Sequence, residues 1–426
     1  MDLLVMLLGL IILVILGMPV CFALGLSSLF YLGMNPEFMG MLPQRIWAGA
    51  NSPLMIALPL FVMAGELMNR GGITQRILDF SMYLVRPIKG GLGEVNVIAS
   101  MIFGGISGSS VADTSAEGSI IIPQMVKQGF TPEFASGITV ATSTMGMIIP
   151  PSIPMLMYST VSGASVGALF LAGLIPGVLI GVAQLILVNV ISRINHFPRA
   201  DGPFIWKDFF LNLRDGIFAV LMPLIIVVTV TAGIATATES AAVAVLYALI
   251  LGLLVYRELN LKNILDAIKR TIFNSSSIMI IIAYSLIFTW VLAFEKVPDQ
   301  IGAFLVDLNL DKIWVLLFLD AFVFFVGMFV DVGPAILLVS PILIPVMGSY
   351  GVGPLQLGTI LIVGLAMGLA TPPIGMCLYV ASKISKLPVT KIFKGALPYL
   401  ICNMLILLLV TFIPEISTWV PGLFFK

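Results

Sequence analysis

Apolar runs about as long as a bilayer is thick recur along this chain. A helix needs about 20 apolar residues to cross the hydrocarbon core. Runs of that order lie at residues 2–33 (broken at Gly17-Met18-Pro19, hence one span or two), 51–69, 133–158, 173–192, 216–234, 241–256, 274–294, 355–382 and 395–413. In lipid every backbone polar group needs a partner within the protein, which leaves helices or a closed barrel. The runs are continuous rather than alternating, which argues against a β-barrel. Hydrophobic residues make up 59% of the chain and charged residues 10%, against about a quarter charged in soluble domains. The expected fold is an all-α polytopic membrane protein with no soluble domain attached. A net charge of zero gives no electrostatic footprint for nucleic acid. The N-terminus lacks a basic n-region and an A-x-A-like site, so it reads as a retained membrane segment. Cys21, Cys377 and Cys402 lie in apolar segments without disulfide or zinc spacing and read as small packing residues.

Two halves share their backbone punctuation. Shifting the chain by 222 positions places Phe103 on Phe325, Gly105 on Gly327, Pro123 on Pro345 and Gly129 on Gly351. The same shift places Pro132 on Pro354, Gly146 on Gly368, Pro150-Pro151 on Pro372-Pro373, Gly173 on Gly395 and Pro176 on Pro398. Glycine and proline mark backbone irregularities, so shared positions imply shared bends. The polar stretch 193–215 reads as the connector. The loop at 159–172 has no charge, whereas its partner at 381–394 carries Lys383, Lys386, Lys391 and Lys394. Conversely 70–89 carries Arg70, Arg76, Arg86 and Lys89, while 295–312 is mixed. Positive loops stay cytoplasmic, so equivalent loops are expected on opposite sides, as an inverted repeat.

That orientation shapes two apolar but interrupted segments. Residues 93–126, flanked by Lys89 and Lys127, are expected to form a re-entrant hairpin with its tip near Ser107–Thr114. Residues 312–346 are expected to enter from the opposite side, with a tip near Gly327–Pro334. The breaks at 143–152 (STMGMIIPPS) and 364–373 (GLAMGLATPP) are expected to unwind two helices and free carbonyl oxygens. Inverted repeats with broken helices belong to secondary transporters, with the site at the midplane. Free carbonyls with Ser, Thr or Asp oxygens suit a hard cation, and half-helix N-termini suit an anion. One site per half follows: tip one with Gly146, Ile149 and Pro151, and tip two with Gly368, Thr371 and Pro373. The alternative is that these residues only shape kinks.

Asp113 and Asp331 are candidate functional charges within the membrane, or helix caps. Glu117 reads as a polar edge of the first hairpin, and Glu66 and Glu239 as interfacial. Asp320 has no assignment. The 23 methionines read as packing and sliding surface, and Trp47, Trp206, Trp290, Trp314 and Trp419 mainly as interfacial anchors. Gly105-Ile106-Ser107-Gly108 also matches the G-x-S-G of intramembrane serine proteases. That nucleophile needs a base; the single histidine, His196, lies in the connector, and no lysine lies in a span core.

The stretches FGGISGSSVADTSAEGSIIIPQM, GFTPEFASGITVATSTMGMIIPPSIPMLMY, GMFVDVGPAILLVSPILIPV and GLATPPIGMCLYVAS resemble the large membrane (M, or DctM-like) subunit of TRAP transporters over nearly the whole chain. The resemblance is greatest to the sialic-acid branch. It implies an elevator-type fold related to sodium–dicarboxylate symporters, in a bacterial inner membrane. It also implies sodium-driven import of an organic anion, N-acetylneuraminate (sialic acid) above all, with no cofactor beyond the coupling ion. The implied partners are a periplasmic binding protein and a separate four-span Q subunit. Carried onto this sequence, one sodium ion is expected at Ser107, Ser110, Gly146, Ile149 and Pro151, and another at Gly327, Asp331, Gly368 and Thr371. The substrate is expected at Ser107, Gly108, Ser109, Asp113, Thr142, Ser152, Gly333, Pro334 and Pro373. The implied transport domain comprises 93–158 and 312–382, extended by 173–192 and 395–413. Its two repeat halves are 93–192 and 312–426, and residues 1–92 and 193–311 supply the scaffold and connector. A stand-alone sodium/dicarboxylate symporter is the main alternative, and an intramembrane serine protease a distant one.

Overall fold

Proline and glycine set most of the helix boundaries. The computed structural model describes residues 2–52, 54–85, 90–197, 206–308 and 310–425. The flank at Arg86 and Lys89 and the connector positions Arg199 and Asp201 lie outside the described residues. The first apolar run is two helices, α1 (Asp2–Ile15) and α2 (Val20–Met34), parted by left-handed Gly17 (φ +84) and by Pro19 at the cap. Then come α3 (Met41–Ala50), α4 (Leu54–Arg70) and α5 (Ile73–Val85). The first hairpin is α6 (Gly91–Ser107) and α7 (Ser110–Lys127). The first broken helix is α8 (Pro132–Ser143), a 3₁₀ turn at Thr144–Met147, and α9 (Ile153–Ser162). The long α10 (Val166–Ile194) completes this half.

The second half opens with α11 (Trp206–Thr231) and α12 (Ala237–Ile250), followed by α13 (Leu261–Phe294) and α14 (Val297–Asp307). The second hairpin is α15 (Lys312–Phe329) and α16 (Val332–Ser349). The second broken helix is α17 (Pro354–Gly368) and α18 (Met376–Ser385), and α19 (Val389–Phe412) and α20 (Glu415–Phe424) end the chain. Six helices are long and apolar enough to cross a membrane, and no strand occurs among the described residues.

Three expectations change in detail. Helix α13 starts at Leu261, not near 274, because Asn260 caps it by accepting from the Asn263 N–H at 2.8 Å. Its charged first turns, from Lys262 to Arg270, are part of the same helix. Both hairpin tips are also tighter than expected. The first break holds only Gly108 and Ser109, so Asp113 and Thr114 sit inside α7; the second holds only Val330 and Asp331.

Helices α7 and α16 are displaced by 222 positions at both ends, and the Pro150-Pro151 and Pro372-Pro373 pairs, both cis, share that spacing. From α9 and α18 to the starts of α10 and α19 the spacing is 223, one residue off the 222 of Gly173–Gly395 and Pro176–Pro398. Ser159 Oγ donates to the Ala164 carbonyl at 2.6 Å, and Ser382 Oγ to the Leu387 carbonyl at 2.6 Å. The second break therefore carries one extra residue, beside left-handed Gly375 (φ +52).

Small residues permit the closest packing. A Cβ at Gly173 would lie 2.4 Å from the Ile148 carbonyl oxygen, at Gly177 2.5 Å from Ile149, and at Gly181 2.3 Å from Met101 Sδ. One face of α10 thereby seats the first break, as glycine repeats do between membrane helices. Gly137 of α8 and Gly395 of α19 meet in the same way. A separate core joins α1, α2 and α13 through Met6, Leu24, Tyr31 and Phe288. A small third cluster, Met55, Leu58, Val62, Met157, Ile282 and Leu337, joins α4 and α13 to α9 and α16.

Candidate functional site

Each hairpin tip meets a broken helix at glycine. At the first, Gly108 (φ +61) turns the chain and approaches Ile153; a Cβ there would lie 3.1 Å from the Ile153 nitrogen. Ser109 caps α7 by accepting from the Ala112 N–H at 3.4 Å, and its own N–H donates to Ser107 Oγ at 3.1 Å. Thr114 Oγ1 lies 2.8 Å from both the Ser110 carbonyl and Ser143 Oγ, which ties α7 to α8. A Cβ at Gly146 would stand 2.0 Å from Asp113 Oδ2, so glycine lets that carboxylate reach the 3₁₀ turn. Asp113 and Ser110 are both fully buried; the Ser107 hydroxyl faces the Asp113 carboxylate, and Ser110 Oγ has no hydrogen-bond partner. Ser152 Oγ donates to the Met147 carbonyl at 2.5 Å and accepts from the Met155 N–H at 3.3 Å, capping α9.

Ser107, Gly108, Pro151 and Ser152 line one cavity with Phe61, Ile106, Ile153 and Leu156. It holds about one water-sized species. The fold thus brings Ser107, Gly108, Pro151 and Ser152 together, with Ser109 at the tip beside them, and sets Asp113 against Gly146 of the 3₁₀ turn, while Ser110 is buried in the first turn of α7. Ile149 instead packs on Gly177. Thr142 donates to Asn96 Oδ1 at 2.8 Å, so its hydroxyl is engaged in a buried network between α6 and α8.

The second site is the more open. Asp331 is exposed and caps α16 by accepting from the Val332 N–H at 2.8 Å. Gly368 abuts Gly327: a Cβ on Gly368 would fall 2.2 Å from the Gly327 carbonyl carbon. Thr371 is buried and donates to the Met367 carbonyl at 3.0 Å, whereas Pro373 is exposed. Gly333 packs on Met157 of α9, with Pro334 beside it in the first turn of α16. The two sites interlock, because α7 packs on α18 and α16 on α9. Buried Cys377 of α18 lies against Thr114 and Ser143 and within electrostatic range of both Asp113 and Asp331.

Some buried polar residues are not evident from sequence pattern alone. Glu117 is no polar edge: it is 1% exposed and accepts from Ser100 Oγ at 2.7 Å. Gln184 Nε2 donates to Asn403 Oδ1 at 2.9 Å, and Asn403 Nδ2 to Thr144 at 3.3 Å, joining α10, α19 and the first break. Asp320 is buried and accepts from Thr411 at 2.9 Å. A usable signal for the first of these was the spacing of four in Asn96–Ser100, Asp113–Glu117 and Thr139–Ser143, which puts each pair on one helix face.

Paired hairpins against paired broken helices, all-helical among the described residues and with several apolar spans, define a polytopic membrane protein. The fold is similar to the crystal structure of the Alcanivorax borkumensis YdaH transporter, at TM-score 0.61 and 14% identity, covering 89% of this chain and 88% of that one. Neisseria gonorrhoeae MtrF is similar at TM-score 0.61 and 11% identity, over 88% and 83% of the two chains. The family description "Tripartite ATP-independent periplasmic transporter, DctM component" matches residues 7–416, and the chain belongs to that family. Among its relatives is the sialic acid TRAP transporter large permease protein SiaM of Vibrio cholerae, 34% identical over 96% of both chains. The C4-dicarboxylate TRAP transporter large permease protein DctM of Pseudomonas aeruginosa is 34% identical over 91% of both. The chain is therefore a transporter subunit of the bacterial inner membrane and not an enzyme. The G-x-S-G match accordingly loses its protease reading. Membership also implies small membrane and periplasmic binding subunits as partners.

Proposed function

We propose that this large permease imports an organic acid by a sodium-coupled, elevator-type mechanism. N-acetylneuraminate is the first candidate substrate. The observation that carries the reading is the pairing of two tips with two breaks at glycine contacts, with a cavity the size of about one water at the first. Sodium would bind at Ser107, Ser110, Gly146, Ile149 and Pro151, and at Gly327, Asp331, Gly368 and Thr371. Binding would order the tips, and the N-terminal ends of α7, α9 and α16 would present N–H groups to a carboxylate. Ser107, Gly108, Ser109, Asp113, Ser152, Gly333, Pro334 and Pro373 would line that anion's position; Thr142 would support it through Asn96.

The moving body comprises 93–158 and 312–382 with 173–192 and 395–413. It slides against a scaffold whose own core, around Tyr31 and Phe288, supports that division. A membrane potential adds about 2.3 kcal/mol per charge per 100 mV to the driving force. The inverted arrangement of the halves is part of the same reading. The test is uptake into proteoliposomes holding this chain and its small subunit, with the binding protein outside and a sodium gradient imposed. N-acetylneuraminate is compared with C4-dicarboxylates, the second reading, which the equal identity to DctM-type permeases favours. Uptake that ignores the sodium gradient overturns the coupling. Full uptake by this chain alone overturns the tripartite reading.

A further inference from the structure

Glu117 lies one turn along α7 from Asp113 and is not itself among the proposed ion or substrate residues, which leave its burial unexplained. It is 1% exposed, and its Oε1 has no hydrogen-bond partner; Oε2 meets the hydroxyl of fully buried Ser100 at 2.7 Å. The elements around it bring no buried cation. On its own helix, Asp113 is a second buried acid one turn away. Helix α6 adds buried Glu94. Helix α8 adds Glu133 at its far end, paired with Lys391 at 3.8 Å. Helix α18 adds Cys377 beside Thr114, while its Lys383 and Lys386 are exposed, as is Lys127 at the end of α7. An isolated buried carboxylate pays several kcal/mol of desolvation unless a counter-charge or a proton removes its charge.

We propose that Glu117 and Ser100 form a proton-binding site of the transport core. The proton comes from water and sits on Oε2, with Ser100 Oγ accepting. When it leaves to water, the same hydroxyl rotates to donate to the carboxylate, so one contact serves both states. Asn96 lies one turn from Ser100 on the same face of α6, and bonds Thr139 at 2.6 Å and Thr142 at 2.8 Å. Proton binding at Glu117 is thereby linked to the α6–α8 packing that carries the first break. Uptake then depends on pH as well as on sodium. The inference rests on the transport reading above only for that last consequence.

The test uses the chain with its small subunit in proteoliposomes. Infrared spectra of the wild type should show a protonated carboxyl C=O band that is lost in Glu117→Gln and shifted in frequency in Ser100→Ala. At a fixed sodium gradient, wild-type uptake should fall as pH rises, and the Glu117→Gln profile should be flat. A carboxyl band unchanged in Glu117→Gln, or a pH profile identical to wild type, overturns the site. Sodium-independent wild-type uptake would overturn the coupling instead and leave the infrared result standing. If Glu117→Gln does not fold, Ser100→Ala decides: an unshifted band overturns the site.

Discussion

Replacing Gly368 by alanine tests whether the second hairpin and second break form one unit. The added Cβ would lie 2.2 Å from the Gly327 carbonyl carbon, 2.5 Å from its Cα and 2.6 Å from the Met328 nitrogen. Ordinary contact starts near 3.4 Å, so α15 and α17 must separate by about 1 Å. All three atoms are backbone, and no rotamer relieves the clash. Overpacking of this kind costs about 1–3 kcal/mol, more than the roughly 1 kcal/mol that alanine gains over glycine in a helix. Gly348→Ala is the matched control: nothing lies within 4 Å of its Cβ, so it should be neutral or slightly stabilising. Gly146→Ala is the informative contrast, because its Cβ meets the mobile end of Asp113, at 2.0 Å, before any backbone. It should perturb unfolding less than Gly368→Ala while still altering sodium dependence. The assays are thermal unfolding of the purified protein and the sodium dependence of proteoliposome uptake. If Gly368→Ala matches wild type in both, the argument that this contact builds the site is wrong.

Further outcomes follow from the same geometry. Asp331→Asn keeps an oxygen for the α16 cap and removes the charge, so it should raise the sodium requirement of uptake at near wild-type stability; Asp331→Ala should also lose about 0.5–2 kcal/mol of cap energy. Thr371→Ala should likewise raise the sodium requirement, and an unchanged requirement would discard Thr371 as a ligand. Asn403→Ala removes the bonds to Gln184 and Thr144 and leaves the Gln184 amide only the Ala141 carbonyl at 3.4 Å, so unfolding measurements should show a loss of about 1–3 kcal/mol. Cysteines at Ser162 and Ser385 occupy matching turns, where each hydroxyl accepts a backbone N–H, from Ala164 at 3.2 Å and from Leu387 at 3.3 Å. They should be labelled from opposite membrane faces; same-side labelling would end the inverted-repeat reading.

Much of the fold was legible because lipid permits few solutions. Apolar runs fix helices, and proline and glycine fix where they break; the breaks at Gly108, Pro151 and Pro373 fall where those residues stand. The candidate site was legible only as a neighbourhood. The stretch Ser107–Thr114 looks like one polar tip, yet only Gly108 and Ser109 leave the helix. Helix propensity gives no warning that Asp113 points to Gly146, because that contact depends on how α7 lies across the break.

The sequence by itself determined the class of protein, its helical spans, the positions of its backbone interruptions and its family. Each of these depends on local chemistry: apolar length, missing N–H donors and missing Cβ atoms. Tertiary structure alone decided which polar groups share a partner. Ser100 meets Glu117, Gln184 meets Asn403, and Thr142 is drawn to Asn96 rather than to a tip. It also decided that the first site is buried and the second open. These pairings join residues 17, 219 and 46 positions apart. They depend on how α6, α7, α8, α10 and α19 pack on one another, which no single segment specifies.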